Sequence, residues 1–577
     1  MIQLFRGEQR ATAIVLALIL VLAAGLRFYG LTERGIFDYD EAWYLLEAKS
    51  LYDAGEYMLA KISGDELGNV ALKDYLKVRG DTPITSFKPG HTVLVFLGLL
   101  AFGLNDYASF AMSAILGTLT VWIVYLLGSK MFGRRAGLLA ALILAVSAFH
   151  VSYSRSGYAQ AKSVFFVALG VYLWYTSTRS SSRQKLFPAG LAIGYAFSCH
   201  FNLFTIPVVM VLVELLHQRQ IQQPIVERAR SLAILGSGMA TPLVLFELPS
   251  RILAIIGKLP DGQLSYYEQY FYRGALTAKL HFSIDGAFAL ADKLWVSESG
   301  LAVIGLLIGF TVSLTRIRDI RYASMLALFF LPALPWSTMS VGLPPLYRTF
   351  SVLAVPFALL SASGLIALID AIRFRNRRLS AFAFTAAAVI LLGTGLSLTA
   401  GLLPLRSSYR ETTDAWIDYV EKNGGVVSIM PGSSWPIWYF YLSARYNGLP
   451  EITRQHIQFY PGSTDPIPSE GDYDVVDIKR IGRAILCENT ELQSYMSSLQ
   501  NVHQVARMPN TAAALPDRFL EAWGPEFEGP LKQSYLNPDH AFTTVFDKRS
   551  RQSIGVTQNI QDEHLFASQH HIDESLP

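Results

Sequence analysis

Long apolar runs recur along this chain, and short loops carrying arginine or lysine separate many of them. That alternation decides most of what the chain can fold into. The runs fall at about 11–28, 107–128, 137–153, 161–177, 188–199, 203–216, 231–248, 299–315, 322–337, 349–371 and 380–403. Each is rich in Leu, Ala, Val, Phe and Gly, and charge or proline bounds it. A perpendicular crossing of the bilayer needs about 20 residues, so several runs are short and 188–199 is the weakest. Composition agrees, with 51% hydrophobic and 16% charged residues against roughly 25% charged in an average soluble domain. The mean hydropathy is +0.32. Too little polar surface remains for a soluble globule, and a disordered chain would need low hydrophobicity and high net charge. The sequence predicts a polytopic α-helical membrane protein of about eleven spans.

The first run follows Arg6 and Arg10 and ends in Arg27-Phe28-Tyr29. A cleaved signal peptide has a shorter apolar core, about 7–15 residues, and a small-residue cleavage site. The run is therefore read as a retained span.

Six basic clusters then set the topology. They are Arg6/Arg10, Lys130/Arg134/Arg135, Arg179/Arg183/Lys185, Arg219/Arg228/Arg230, Arg316/Arg318/Arg321 and Arg373/Arg375/Arg377/Arg378. With eleven spans all six fall on one side, which the positive-inside rule makes cytoplasmic. Thr92 to Leu104 would break that parity as a span and is read as a re-entrant or interfacial helix. The protein is placed in a plasma or inner membrane.

Three segments then face outward: 30–91, about 249–298, and everything after 404. The first two are too long for plain connectors, and long ordered loops commonly carry function. Past 404 the apolar runs stop. Glu411 to Lys422 has the apolar spacing of an amphipathic helix, and Asn423-Gly424-Gly425 ends it. Val426 to Met430 and Tyr473 to Ile478 read as strands. This predicts a transmembrane unit over 1–403, a small outer α/β domain over 404–515, and a polar, partly disordered extension over 516–577.

Net charge is +3, so nothing points to a nucleic-acid partner. Cys199 and Cys487, one in an apolar and one in a polar stretch, make no disulfide framework or thiolate metal site. No HExxH-type spacing joins His150, His200 and His281, and the tail pair His570-His571 reads as solvated. No metal site is assigned, and a divalent cation is the one cofactor left open.

Candidate chemistry clusters in the outer segments. Phe37-Asp38-Tyr39-Asp40-Glu41-Ala42-Trp43-Tyr44 places three carboxylates beside aromatic rings just after a membrane helix. Asp40 and Glu41 also suit a helix N-terminus, where they stabilise the dipole. At the membrane face they can additionally serve where an acceptor meets a lipid-borne donor. Lys88, in Ser86-Phe87-Lys88-Pro89-Gly90-His91, suits either a snorkelling anchor or a phosphate contact. Arg155, Arg273 and Arg348 lie on the outer side against the positive-inside trend. Outer arginines suit a phosphate headgroup, and each also suits a structural ion pair. Tyr158 and Gln160 follow Arg155, Tyr347 precedes Arg348, and His91 and His281 complete the candidates.

Together these motifs resemble the GT-C superfamily of membrane glycosyltransferases, nearest the protein O-mannosyltransferase and aminoarabinose (lipid A) transferase group. The residues are Asp40-Glu41-Ala42-x-Tyr44, Lys88-Pro89, Phe102-Gly103, Met131-Phe132-Gly133-Arg134-Arg135 and Ser154-Arg155, and the resemblance covers about 10–400. It implies a GT-C-like fold and an enzyme that takes its sugar from a polyprenyl-phosphate donor. The acceptor would be a lipid, glycan or protein hydroxyl of the cell envelope. It implies Asp40 as general base and Lys88 as a phosphate contact, with Arg155, Arg273 and Arg348 assisting. Two departures stand out. Gln160 sits where many members carry an acid, and Lys88-Pro89-Gly90 replaces Lys-Pro-Pro. In such a mechanism the carboxylate takes the acceptor proton. The cations stabilise the leaving phosphate, and a single displacement inverts the anomeric centre. A flippase for lipid-linked sugars and a non-catalytic envelope assembly protein are the competing classes. The first would show ionisable residues within the spans and repeated halves.

Overall fold

The computed structural model describes residues 2–37, 39–65, 88–178, 183–255, 280–282, 285–341, 347–373, 376–425, 427–429, 435–445, 457–459, 472–476, 502–510 and 542–549. It also describes 70, 71, 74–76, 79, 265, 268, 494 and 498.

The described residues are mostly helical. In chain order the helices are α1 (Ile2–Phe28), α2 (Tyr39–Ser63), α3 (Pro89–Phe102), α4 (Tyr107–Phe132), α5 (Arg134–Val146) and α6 (Ala148–Ser154). There follow α7 (Ala159–Thr178), α8 (Leu186–Cys199), α9 (Thr205–Gln220), α10 (Ile225–Ile255), α11 (Asp285–Ser297) and α12 (Gly300–Thr315). Then come α13 (Ile320–Thr338), α14 (Ala354–Arg373), α15 (Arg377–Ala400), α16 (Tyr409–Asn423) and α17 (Trp435–Arg445).

Among the described residues, five helical stretches are long and apolar enough to cross a membrane: Gln9–Glu33, Tyr107–Phe132, Ile225–Ile252, Phe350–Ile372 and Arg378–Ala400. A sixth appears if α5 and α6 are one span broken by a 61° bend. Pro89–Phe102, Leu186–Cys199, Gly300–Thr315 and Ile320–Ala333 are apolar but shorter. Several of the eleven expected crossings are therefore short helices rather than full perpendicular spans. The segment Thr92–Leu104, expected outside the eleven crossings as a re-entrant or interfacial helix, falls largely in another short helix, α3 (Pro89–Phe102). Pro89 opens it at the first helical turn, where a missing N–H costs nothing. Gly103, at φ 84°, closes it.

The bend after Val146 shows how a broken helix is tolerated in an apolar bundle. Carbonyls at the end of α5 lose their helical donors, and each would cost several kcal/mol in lipid. The buried Arg27 of α1 supplies replacements, donating to Leu144 O and Ala145 O at 3.2 Å each. Ser147 starts the next helix by accepting from His150 N–H at 3.0 Å.

The bundle is drawn together by small residues. A Cβ on Gly194 would lie 2.1 Å from Met239 O, and one on Gly190 2.1 Å from Leu235 O, so α8 and α10 touch backbone to backbone.

The basic loops meet at one end of the bundle. Arg321 donates to Met131 O at 2.9 Å, Gln220 to Arg318 O at 2.8 Å, and Tyr175 to Lys130 O at 3.4 Å, while Arg135 pairs with Asp370 at 3.4 Å. Bonds between Arg155, Tyr29 and Leu403 gather the opposite ends of these helices.

Beyond residue 404 the helix expected over 411–422 runs Tyr409–Asn423. Trp416, Ile417 and Val420 are buried along it, and Gly424 ends it at φ 64°. Besides a two-stranded antiparallel sheet of β1 (Leu280–Phe282) and β2 (Met339–Val341), a five-stranded mixed sheet forms. Its strands are β3 (Val427–Ile429), β4 (Ile457–Phe459), β5 (Tyr473–Val476), β6 (His503–Pro509) and β7 (Phe542–Asp547), in the order β4-β3-β5-β7-β6. The strand β7 comes from the segment expected to be a polar extension, and it pairs antiparallel with both β5 and β6. Residues 550–577, including His570-His571, lie outside the described residues.

Among the described residues, the C-terminal part shares its apolar cluster with the N-terminal half of the chain. Leu31, Ile36, Leu45 and Leu46 from the first loop region, and Val95 and Leu99 of α3, share one apolar cluster with Trp416, Ile437, Trp438, Tyr473 and Val545.

Candidate active site

The first turn of α2 holds Asp40 and Glu41, and the helix period separates their tasks. Asp40, Tyr44 and Glu47 fall at i, i+4 and i+7 and share a face. That face meets the start of α3. Asp40 is half-buried, and its Oδ2 accepts from the Tyr44 hydroxyl at 3.5 Å. The Lys88 ammonium donates to the same hydroxyl. It also lies 4.3 Å from the centroid of the Tyr44 ring. Tyr44 thus joins a carboxylate and a cation through a single oxygen. Three residues on, Glu47 accepts from Trp43 Nε1 at 2.9 Å and from Thr92 Oγ1 at 3.1 Å. His91 packs edge-on to Tyr44 with centroids 4.6 Å apart. Its ring is fully buried, and among the described residues neither nitrogen has a hydrogen-bond partner.

Glu41 points away into the protein. Its Oε1 accepts from Arg34 Nη2 at 2.8 Å and from Gly157 N–H at 2.9 Å. Its Oε2 accepts from Arg34 Nη1 at 3.0 Å and from Phe37 N–H at 2.8 Å. An ionised carboxylate offers about four lone-pair positions, and all are taken. Glu41 is 0% exposed, and Arg34 stacks over Phe37 at 3.8 Å and Phe110 at 4.5 Å. The carboxylate expected to share catalysis with Asp40 is therefore an anchor. It ties the loop before α2 to the loop after α6.

Arg155 is also spent inside. It is 3% exposed. Nη1 donates to Leu26 O at 3.1 Å, Arg27 O at 3.4 Å and Tyr29 O at 2.7 Å, and Nη2 to Leu403 O at 3.4 Å. These are the orphan carbonyls at the end of α1 and a carbonyl after α15. The guanidinium expected at a phosphate caps a helix instead.

Gln160 is buried, and its Nε2 lies 2.9 Å from His200 Nε2. Behind it the buried Lys162 ammonium donates to Ser109 Oγ at 3.2 Å. Tyr158 is half-buried beside Tyr153, 6.2 Å between centroids.

Asp38 and Arg273 lie outside the described residues. His281 falls in β1, and Tyr347 and Arg348 in the short 3-10 helix Tyr347–Leu353, with their side chains outside the description. Of the expected residues, the structure brings Asp40, Tyr44, Lys88 and His91 together. It adds Arg34 and Glu47, which sequence reasoning missed. The i, i+7 spacing from Asp40 was the signal for Glu47, whereas Arg34 had none. Among the described residues no group of three or more His, Cys, Asp or Glu side chains can hold a metal ion.

Known proteins resemble the chain in part of its sequence and in fold. The model of the family described as dolichyl-phosphate-mannose-protein mannosyltransferase matches residues 86–238, a stretch that starts two residues before Lys88. An uncharacterised protein of Aquifex aeolicus (strain VF5) is 27% identical over 177 residues, 30% of this chain and 32% of that protein. YkcB of Bacillus subtilis (strain 168), provisionally named a mannosyltransferase, is 25% identical over 178 residues, 30% of this chain and 25% of that protein. The matched stretch thus spans about a third of one relative and a quarter of the other. Among solved structures, ArnT from Cupriavidus metallidurans bound to undecaprenyl phosphate aligns with a TM-score of 0.54 at 12% identity, over 85% of this chain and 96% of that one. The Archaeoglobus fulgidus oligosaccharyltransferase in complex with Zn and sulfate aligns at 0.50 and 15% identity, over 82% of this chain and 69% of that one. In fold over most of its length, and in sequence over residues 86–238, the chain is similar to the GT-C membrane glycosyltransferases.

Proposed function

We propose that the protein is a membrane glycosyltransferase that moves a sugar from a polyprenyl-phosphate donor to a hydroxyl acceptor, with Asp40 as general base. The observation that carries this is the Asp40–Tyr44–Lys88 constellation. A partly accessible carboxylate and a buried ammonium meet through one hydroxyl, at the mouth of two helices. Asp40 takes the acceptor proton as the acceptor oxygen bonds to the anomeric carbon. The bond from that carbon to the phosphate oxygen breaks, and Lys88 stabilises the charge on the departing polyprenyl phosphate. One displacement inverts the anomeric centre. Arg155 is left out of the phosphate site because its donors are committed to carbonyls, and Arg273 and Arg348 remain its candidates.

The eleven-crossing topology belongs to the same reading. The basic-loop end faces the cytoplasm under the positive-inside rule. Asp40, Lys88 and the C-terminal sheet then face outward in a plasma or inner membrane. Catalysis on that face takes a donor that carries its own lipid and leaves a nucleotide site unnecessary. ArnT was solved with undecaprenyl phosphate, which supports a lipid phosphate as the donor's carrier.

The test compares glycoconjugates of a deletion strain by mass spectrometry, complemented with wild type, Asp40→Asn or Lys88→Ala. Wild type restores a sugar on one lipid, glycan or protein. Asp40→Asn inserts into the membrane at normal levels and restores nothing. Full restoration by Asp40→Asn would remove the base assignment.

A further inference from the structure

The C-terminal helix α17 reaches into the first loop through one hydroxyl. Tyr441 is 6% exposed. Its Oη accepts from Ile36 N–H at 3.0 Å and donates to Asp106 Oδ2 at 2.7 Å. Ile36 lies four residues before Asp40. Asp106 is the N-cap of α4, and its Oδ1 accepts from Tyr107 N–H at 2.9 Å. A single oxygen therefore joins three elements: the loop that leads to the proposed base, the corner between α3 and α4, and the C-terminal part.

Neighbouring bonds run the same way. Ser407 N–H donates to Arg34 O at 2.7 Å, and Arg410 donates to Thr32 O at 3.0 Å and pairs with Asp106 at 3.5 Å. Arg406 pairs with Glu33. The segment 31–37 is thus strapped on its outer side by residues 406–410 and 441. The Arg34–Glu41 pair holds it on its inner side.

We propose that Tyr441 is a positioning residue of the reaction centre. Its hydroxyl fixes the Leu31–Phe37 segment, and with it the start of α2 and Asp40, in register with α3 and Lys88. The C-terminal part is then a piece of the site's scaffold in addition to any role in choosing an acceptor. Tyr441→Phe keeps the ring and its packing, and it leaves Ile36 N–H and Asp106 Oδ2 without that partner. Misplacement of a reacting group by about 1 Å can cost roughly 10²-fold in rate. Such a loss falls on turnover, while donor binding at Lys88 is retained.

The experiment uses the full chain in lipid nanodiscs and reads hydrogen exchange of peptides covering 31–41, with turnover as a second arm that rests on the glycosyltransferase reading. Tyr441→Phe is expected to speed exchange at Ile36 by roughly 3- to 10-fold, the scale of one lost hydrogen bond. It is expected to lower kcat at least about tenfold with donor KM unchanged. Arg445→Ala is the control on the same helix. It removes exposed ion pairs to Asp414 and Asp418 and should match wild type in both arms. Wild-type exchange at Ile36 in Tyr441→Phe overturns the proposal, as does faster exchange with unchanged kcat. A wild-type protein without transferase activity would sink the functional reading, while the exchange arm would still decide whether Tyr441 holds the loop.

Discussion

Glu41→Gln separates an anchor from a base. Glutamine keeps the shape of glutamate but turns one oxygen into an NH2 group. If it replaces Oε1, it faces Arg34 Nη2 and Gly157 N–H, which now lie at 2.8 and 2.9 Å. If it replaces Oε2, it faces Arg34 Nη1 and Phe37 N–H, at 3.0 and 2.8 Å. Either orientation sets donors against donors, so rotating the amide rescues nothing. The Arg34 charge is also left without its counter-ion, and its side chain is 6% exposed. Breaking a buried pair of this kind costs about 3–5 kcal/mol. For a cooperative unit of about 200 residues each kcal/mol moves Tm by about 2–4 °C, so a fall of roughly 6–20 °C is expected. The assay is thermal unfolding of the purified protein in detergent, followed by tryptophan fluorescence, beside Asp40→Asn. Asp40→Asn should unfold near the wild-type temperature. Glu41→Gln that unfolds within about 2 °C of wild type, yet has lost all transfer, would refute the anchoring role and return Glu41 to the chemistry.

Arg155→Ala should lower Tm and leave donor KM unchanged, because four carbonyls lose a charged donor whose bonds are worth about 1.5–3 kcal/mol each. A raised donor KM at unchanged Tm would place Arg155 at the phosphate after all. Gly35 has φ +68°, and a Cβ there would meet Ser407 Oγ at 2.4 Å. Gly35→Ala should therefore cost about 1–3 kcal/mol and speed exchange in the 31–37 segment, and wild-type stability would show that the loop yields. Burial raises the Asp106 carboxyl above its ordinary value of 3.8, against the opposing pull of Arg410, Tyr441 and Tyr107 N–H. The folded state then holds the proton more tightly than the unfolded one, so this stabilisation is full below the ordinary value and is lost as pH rises through the folded value. Tm of wild type minus that of Asp106→Asn should fall as pH is raised from about 4 to about 7, and a rising difference would reverse the assignment.

Local rules made some of this legible and tertiary bonding hid the rest. Period 3.6 on α2 puts Tyr44 on the face of Asp40, and Pro89 announces the helix that carries Lys88 in its cap. Those two signals locate the constellation. The same rules could not separate Glu41 from Asp40, because the donors that saturate Glu41 come from residue 34 and from residue 157 across the fold. Arg155 misled for a related reason. An arginine outside the positive-inside pattern reads as a ligand contact, whereas here the end of α1 needed donors. The apolar run at 137–153 looked continuous because Ser147 is a small residue, and the bend depends on Arg27 from another helix. The strand β7 lay in a stretch whose polar composition resembled a tail, and only its pairing with β5 and β6 explains it.

The cluster shared by the first loop and the C-terminal helices also sets a schedule for synthesis. Ile36 waits for a partner 405 residues further along the chain. At the usual 5–20 residues per second that is roughly 20–80 s. During that interval Leu31, Leu45 and Leu46 stand without the C-terminal side chains that cover them in the finished protein. The segment leading to the proposed base is thus among the first parts made and the last to be locked. A ribosome that stalls before α17 leaves the Asp40 loop without its Tyr441 tie, held only by Arg34–Glu41 and residues 406–410.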